Sequence, residues 1–239
     1  MPRNASRLGK ACLWAGRLAG LLISGWSAVV TAQAAPPTGA GIVKIIGTVP
    51  QILALQFHSQ TLVGQGVAGT QSASALNYTL DIGAVVPGQD PSANAFRGGT
   101  VTLILRANTN YVLVAAVTGN GFISSPDYIQ LSDIGFGILQ SEIVPSGPLG
   151  NKTNASLLAA FDGDPFTAPI SDGVPAFRAT LKDISNGTPL LGGGPISRRG
   201  STLASTNGLL VPTKYAVYPQ LFHEQEAFSA TVTYTLTAP

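Results

Sequence analysis

Three closely spaced aspartates are the strongest candidates for chemistry in this sequence. Asp162, Asp164 and Asp172 lie in one loop-like stretch, and two of them precede a glycine. Calcium binds several hard oxygen ligands that a flexible loop presents. A complete EF-hand loop would need another acid at short spacing and a closing glutamate, which this stretch does not supply. The 162–172 loop is therefore interpreted either as a calcium site or as a solvated turn.

Histidine chemistry has little support. The chain has two histidines, His58 and His223, and His223 is followed directly by Glu224. Consecutive residues of an extended chain point to opposite sides, so this pair would not face each other. Neither histidine lies near a G-x-S-x-G nucleophile pattern. We predict no catalytic residue and a protein that is not an enzyme.

A carbohydrate site would use flat aromatic rings. Four tyrosines are candidates for such stacking, although tyrosine in a strand more often contributes half-buried packing: Tyr111, Tyr128, Tyr215 and Tyr218. Together with the acidic loop, they leave open an alternative function as a secreted module that binds carbohydrate or calcium.

Two short motifs are interpreted as turns. Residues 64–69 read G-x-G-x-x-G, but neither an amphipathic helix nor a β-α-β alternation follows, as a nucleotide site would require. Arg198 and Arg199 form a dibasic pair behind a glycine-rich stretch, where exposed chain is prone to cleavage. A charged turn is the simpler interpretation of that pair.

The elements around these residues have the periodicity of strands. Residues 228–237 alternate strictly between apolar or aromatic residues and Ser or Thr, which predicts a strand with one face in a core. Residues 100–106 and 111–118 flank a polar break and predict a hairpin, with the second run inside a sheet. Further strands are predicted at 41–49, 52–58, 76–82, 128–139, 177–184, 209–211 and 214–222.

About ten strands with frequent Gly, Pro, Asn and Ser breaks predict an all-β, antiparallel β-sandwich in one domain, residues 35–239. One short helix is predicted at 154–161, within the 150–162 region. It would belong to a long loop or insertion near 145–175, because this stretch lacks strand periodicity.

The N-terminus predicts export. Residues 1–17 contain four basic residues and no acid, residues 18–32 are uncharged, and Ala32-Gln33-Ala34 fits a signal-peptidase site. A signal peptide of residues 1–34 follows, since the apolar run is shorter than the roughly twenty residues of a membrane-spanning helix. The mature chain would carry 9 basic and 11 acidic residues, a net charge of −2, with no cysteine, methionine or tryptophan. This argues against nucleic-acid binding, disulfides and thiolate metal sites.

Three segments resemble bacterial secreted surface proteins of the fimbrial and spore-coat-U type. They are GIVKIIGTVPQILALQF at 41–57, ANTNYVLVAAV at 107–117 and FSATVTYTLTAP at 228–239. The resemblance implies an exported, immunoglobulin-like β-sandwich that is non-enzymatic and acts as a structural or adhesive component of the cell surface. Fimbrial subunits often carry a cysteine pair, which the predicted mature chain lacks.

Strand pairing with copies of itself or with other surface proteins is the partner interaction that such a fold would allow. A sheet with a free edge can accept an extended segment from a neighbour. Residues 35–49 are N-terminal and partly apolar, and they begin with Ala-Pro-Pro-Thr-Gly, a composition typical of flexible chain. They are interpreted as the first strand of their own sheet, with donation to a neighbour as the alternative.

Overall fold

A computed structural model describes residues 44–64, 66–71, 78–88, 95–146, 155–196, 208–225 and 227–239. The predicted signal peptide, residues 1–34, lies outside the described residues, as does most of the segment 35–49. From Thr48 to Pro239 the chain forms one structural unit.

The regular structure is almost entirely β. In the described residues the helical elements are 3₁₀ turns of three or four residues. The strands, in chain order, are β1 (Leu53–Val63), β2 (Ala68–Gln71), β3 (Tyr78–Asp81), β4 (Arg97–Ala107), β5 (Tyr111–Asn120), β6 (Ile134–Gly137), β7 (Val144–Ser146), β8 (Ser156–Leu157), β9 (Ile170–Ser171), β10 (Val174–Pro175), β11 (Thr188–Gly193), β12 (Gly208–Val217) and β13 (Ser229–Thr237). All pairings between these strands are antiparallel. The predicted all-β, antiparallel class is confirmed.

Two larger sheets enclose one core. The first has the order β1-β4-β12-β6, with β7 also paired to β12, and the second has the order β13-β5-β11-β8. Buried side chains from both sheets belong to a single hydrophobic cluster, for example Leu103 and Leu105 of β4 with Leu113 of β5. Two small sheets, β2-β3 and β9-β10, lie outside this order.

The strands with the clearest patterns form as predicted. Residues 100–106 and 111–118 lie in β4 and β5, and β5 is inside a sheet as predicted, between β13 and β11. The predicted hairpin is wrong, because β4 pairs with β1 and β12 in the first sheet, so the short turn between β4 and β5 leads from one sheet to the other. In β13 the apolar residues are partly buried and the alternate Ser and Thr residues are exposed. Strict alternation therefore identified both the strand and its inward face.

A single strand, β12, replaces the two strands predicted at 209–211 and 214–222. Pro212 pairs with Thr102 of β4. On its other side β12 pairs with β7 as far as Leu210 and with β6 from Lys214 onward. Proline has no backbone N–H that could donate to a neighbouring strand. Pro212 lies between the residues paired with β7 and those paired with β6, where this side of β12 has no partner among the described residues.

Two strand predictions are wrong, and the one at 128–139 is correct only for Ile134–Gly137, because Leu131–Asp133 form a 3₁₀ turn. In the segment 41–49, the described residues from Lys44 onward have no strand structure. The segment 177–184 contains a 3₁₀ turn, Leu181–Ile184. The carboxylate of Asp183 accepts hydrogen bonds from the backbone N–H (2.8 Å) and hydroxyl (2.9 Å) of Thr180, which closes this turn.

The helix predicted at 154–161 is also wrong for the residues that are described. Ser156–Leu157 form β8, and Ala159–Phe161 form a 3₁₀ turn. The Gln140 side chain donates to the Ala155 carbonyl (3.1 Å) and accepts from the Leu157 N–H (2.9 Å). These contacts hold the chain extended despite its helix-forming composition.

Nothing in the described part of the chain is a helix both long and apolar enough to span a membrane.

Candidate functional site

A wide apolar groove runs between the two sheets on the side of their edge strands. Its volume is about 1160 Å³. β1 and β13 each have a strand partner on one side only within the described residues, and their inward-facing residues are partly buried. Side chains from both sheets line it, among them Leu55, Phe57, Val101, Val232 and Tyr234. Within the described residues, the core-facing side chains of these edge strands lie beside no further strand of either large sheet, and β3 adds Tyr78 and Leu80 to the lining.

Aromatic side chains form the walls of the groove. Phe57 packs edge-on against Tyr78, with ring centroids 5.0 Å apart. At the other end of the lining, Phe228 contacts Phe122 at 5.2 Å. Such surfaces suit an extended apolar segment, since they offer area but few hydrogen-bonding groups.

A polar contact crosses the groove floor. The hydroxyl of Tyr215 on β12 is hydrogen-bonded to that of Tyr234 on β13, so the pair joins the two sheets. Thr213 lies 3.3 Å from the Tyr215 hydroxyl and donates to the Val101 carbonyl at 2.7 Å. Burial is the main cause of the raised pKa of both tyrosines. The pKa of Tyr234 lies well above the ordinary value. Both phenols therefore stay neutral at physiological pH.

An asparagine fixes the chain where it enters β1. The Asn108 side chain accepts from the Ile52 N–H (2.7 Å) and donates to the Pro50 carbonyl (2.8 Å). The Asn108 backbone N–H donates to the Ile52 carbonyl at 3.2 Å. These bonds hold Pro50–Ile52 at the end of the sandwich where β4 turns into β5.

The three predicted calcium ligands lie in different local settings. The Asp162 carboxylate accepts a hydrogen bond from the Gln140 backbone N–H at 3.0 Å. Asp164 is the N-cap of the 3₁₀ turn Pro165–Thr167. Asp172 lies in the turn between β9 and β10 and has a positive φ. No group of three or more His, Cys, Asp or Glu residues that could hold a metal occurs in the described chain. The calcium site remains a prediction.

The ammonium group of Lys214 already forms an ion pair with Asp164. The Lys214 ammonium on β12 lies 2.7 Å from Asp164 Oδ2 and 2.8 Å from Glu142 Oε1. Lys214 is 7% exposed, whereas the side chains of Asp164 and Glu142 are 22% and 38% exposed, so a buried ammonium meets two partly exposed carboxylates. Burial lowers the pKa of Lys214, but the hydrogen bonds and charges of the two carboxylates outweigh it and the pKa is raised overall. The Lys214 side chain is therefore kept in its protonated, ammonium form.

The Asp164 turn is held against the sheet by its backbone. The Gly163 N–H donates to the Ile138 carbonyl at 2.9 Å, and the Ile138 N–H donates to the Phe161 carbonyl at 2.9 Å. Asp164 Oδ1 accepts from the Phe166 N–H at 3.0 Å. The two oxygens of this carboxylate therefore have different partners, a backbone amide and the lysine.

The other predicted candidates are dispersed. His58 is exposed on β1. His223 lines the groove, its ring contacts that of Tyr128 with centroids 5.3 Å apart, and its backbone N–H donates to the Asp127 carbonyl. Tyr111 is buried in the core, and Tyr218 is buried in an aromatic contact with Phe96. Gln65 of the glycine motif and the pair Arg198–Arg199 lie outside the described residues.

Sequence reasoning missed Lys214 and Glu142. The one available signal was a lysine within a largely apolar strand, where a charge is expected only with a partner. Its two acids are 50 and 72 residues away in sequence, so only the fold reveals them.

No protein-family model and no curated protein matches this chain.

Proposed function

We propose that this chain is an exported, non-enzymatic, immunoglobulin-like β-sandwich subunit of a bacterial cell surface, with a structural or adhesive role. In this proposal copies join when the N-terminal segment, residues 35–49, of one copy pairs as a strand in the groove of the next. The observation that carries the proposal is the open groove between β1 and β13.

The exposed side chains of the N-terminal segment support this occupant. Ile45, Ile46 and Val49 are 91%, 76% and 87% exposed. Three large apolar side chains so close together in sequence are costly to leave in water, at about 25 cal/mol for each Å² of apolar surface. A partner groove would cover them and would add main-chain hydrogen bonds from a free sheet edge.

The direction of the chain favours exchange between copies. The Asn108 contacts hold Pro50 and Ile52 at the end of the sandwich where β1 begins. The groove runs from Leu55 and Phe57, near that end, to Val101 and Arg97 further along the first sheet. An interface between one end of a subunit and the groove of another is head-to-tail, and such contacts generate open fibres unless the rotation closes a ring.

The test compares four forms of the mature chain, residues 35–239, by sedimentation velocity and thermal melting. They are the parent, a deletion of residues 35–49, Ile46→Asp and the matched control Val174→Asp, which changes another exposed apolar residue. We expect the parent and Val174→Asp to associate, and the deletion and Ile46→Asp to be folded monomers. Association of the Ile46→Asp variant at the parent level, or a parent that stays monomeric, would refute the proposal. Loss of folding in the deletion would assign the segment to its own core.

A further inference from the structure

We propose that the triad of Lys214, Asp164 and Glu142 is the site of a covalent cross-link, in which Lys214 Nζ and Asp164 Cγ condense to an isopeptide bond with Glu142 as proton carrier. The inference is independent of the proposed self-association, because none of the three residues lines the groove.

Proximity is the first argument. Lys214 Nζ lies 2.7 Å from Asp164 Oδ2, so the carbon it would attack is one bond further away. Lys214 belongs to β12, which is paired on both sides, and Asp164 starts a turn bonded to residues beside β6. Amine and carboxyl are thus held together by the fold, and intramolecular reactions of well-oriented groups reach effective molarities of about 10⁵ M or more.

The two carboxylate oxygens of Asp164 would have different roles in the reaction. Oδ1 accepts the Phe166 N–H at 3.0 Å, which would stabilise negative charge on that oxygen in a tetrahedral intermediate. Oδ2 faces the lysine and is the oxygen positioned to leave.

Glu142 completes the proton path. Its Oε1 lies 2.8 Å from Lys214 Nζ, on the same amine that contacts Asp164. The raised pKa of Lys214 makes the ammonium the resting form, so the amine must lose a proton before it can attack. A carboxylate in contact with the amine can accept that proton and return it to the departing oxygen.

The step balances without any co-reactant. The ammonium of Lys214 transfers a proton within the triad, and the nitrogen lone pair then forms the Cγ–Nζ bond. The Cγ–Oδ2 bond breaks, and this oxygen leaves with two protons as water, both of them originally on the lysine nitrogen. The product is a neutral amide, and no atom is oxidised or reduced.

Burial of the reacting amine limits the access of water to the amide that would form. The Lys214 side chain is 9% exposed and that of Asp164 is 22% exposed. A cavity of about 180 Å³ adjoins Asp164 and is lined by Phe136, Pro165 and Arg178, among others, which gives the released water a way out. The cross-link would join β12 to a turn 50 residues earlier in the chain.

The test is the intact mass and peptide map of the purified mature chain. We expect a mass lower than that of the sequence by one water molecule, and a branched peptide in which Lys214 is joined to Asp164 and resists trypsin. Asp164→Ala and Lys214→Met should have their full sequence masses. Glu142→Gln keeps both reacting groups and should be largely uncross-linked when freshly purified.

A matched control separates this reaction from a second source of water loss. Asp162 and Asp172 precede glycine, and such sequences can lose water by forming a cyclic imide. Asp162→Ala should therefore retain the cross-link. An unchanged parent mass, or a mass loss that persists in Asp164→Ala with Lys214 free in the peptide map, would overturn the proposal.

Discussion

The hydroxyl groups of Tyr215 and Tyr234 are hydrogen-bonded to each other across the two sheets of the sandwich. The residues come from β12 and β13, and Tyr234 belongs to an edge strand. As a whole Tyr234 is only partly buried, but its hydroxyl end is deeply buried. The contact therefore tethers a strand that, among the described residues, pairs on one side only.

Tyr234→Phe should weaken the fold at neutral pH. The variant removes one partner of a buried hydrogen bond, which typically costs about 0.5–1.5 kcal/mol. Urea unfolding at pH 7 measures the free energy directly. Equal stability of variant and parent would show that the contact contributes nothing.

Alkaline pH should reduce this difference. Burial raises the pKa of Tyr215 and Tyr234 in the folded protein, so the unfolded chain ionises first. The stabilisation is complete below the ordinary tyrosine pKa of about 10 and is lost as pH rises above it. The parent should lose more stability than Tyr234→Phe between pH 9 and roughly 11. Parallel pH profiles for the two would contradict the assigned pKa shift.

Tyr111→Phe should have the opposite effect at neutral pH. Tyr111 is 1% exposed, its hydroxyl has no hydrogen-bond partner in the described structure, and burial raises its pKa to about 12. Removing an unpartnered buried hydroxyl relieves its desolvation cost, so stability should be unchanged or rise by up to about 1 kcal/mol. A clear loss in urea unfolding would reveal a partner for this hydroxyl, such as buried water.

Asn108→Ala should destabilise the entry into β1. The variant loses the hydrogen bonds to Ile52 and Pro50, which together contribute about 1–2 kcal/mol. Asn108→Asp is the matched control, because it keeps an acceptor for Ile52 but cannot donate to Pro50. Unfolding midpoints should fall in the order parent, Asp, Ala, and an Ala variant as stable as the parent would contradict this role.

Calcium should leave the melting temperature unchanged at millimolar concentration. A ligand that binds only the folded state must raise the midpoint. The Lys214 ammonium already occupies one oxygen of Asp164, and no group of three or more possible metal ligands comes together among the described residues, so the loop has no assembled set of oxygen ligands to offer. A rise that disappears in Asp172→Asn would instead support the calcium interpretation.

Strand periodicity predicted the architecture where alternation was strong. The strands β13, β4 and β5 have regular patterns that local sequence determines, whereas the hairpin predicted for β4 and β5 is wrong because each strand pairs in a different sheet. The segment 177–184 looked similar, yet the hydrogen bonds between Thr180 and Asp183 close a turn. An apolar run alone does not distinguish a strand from a turn that buries two side chains.

The functional features were harder to predict because they depend on long-range pairing. The groove forms because β1 and β13 lie at the edges of their sheets. The alternating pattern of β13 would be the same in a strand paired on both sides, so the sequence does not reveal its edge position. Likewise, Lys214 meets Glu142 and Asp164 only after the strands have paired. A lysine within an apolar strand indicated that a buried charge needs a partner, but the sequence does not show which acids pair with it.

Peptide binding to the open groove tests the central claim most directly. The mature chain lacking residues 35–49 would be melted with increasing amounts of a synthetic peptide of residues 35–49, and separately with the same peptide carrying Ile46→Asp. We predict that the unaltered peptide raises the melting temperature in a concentration-dependent way, corresponding to about 2.7 kcal/mol at a hundredfold excess over Kd. The altered peptide should have no effect. A melting temperature that neither peptide changes would contradict the assignment of the groove to this segment.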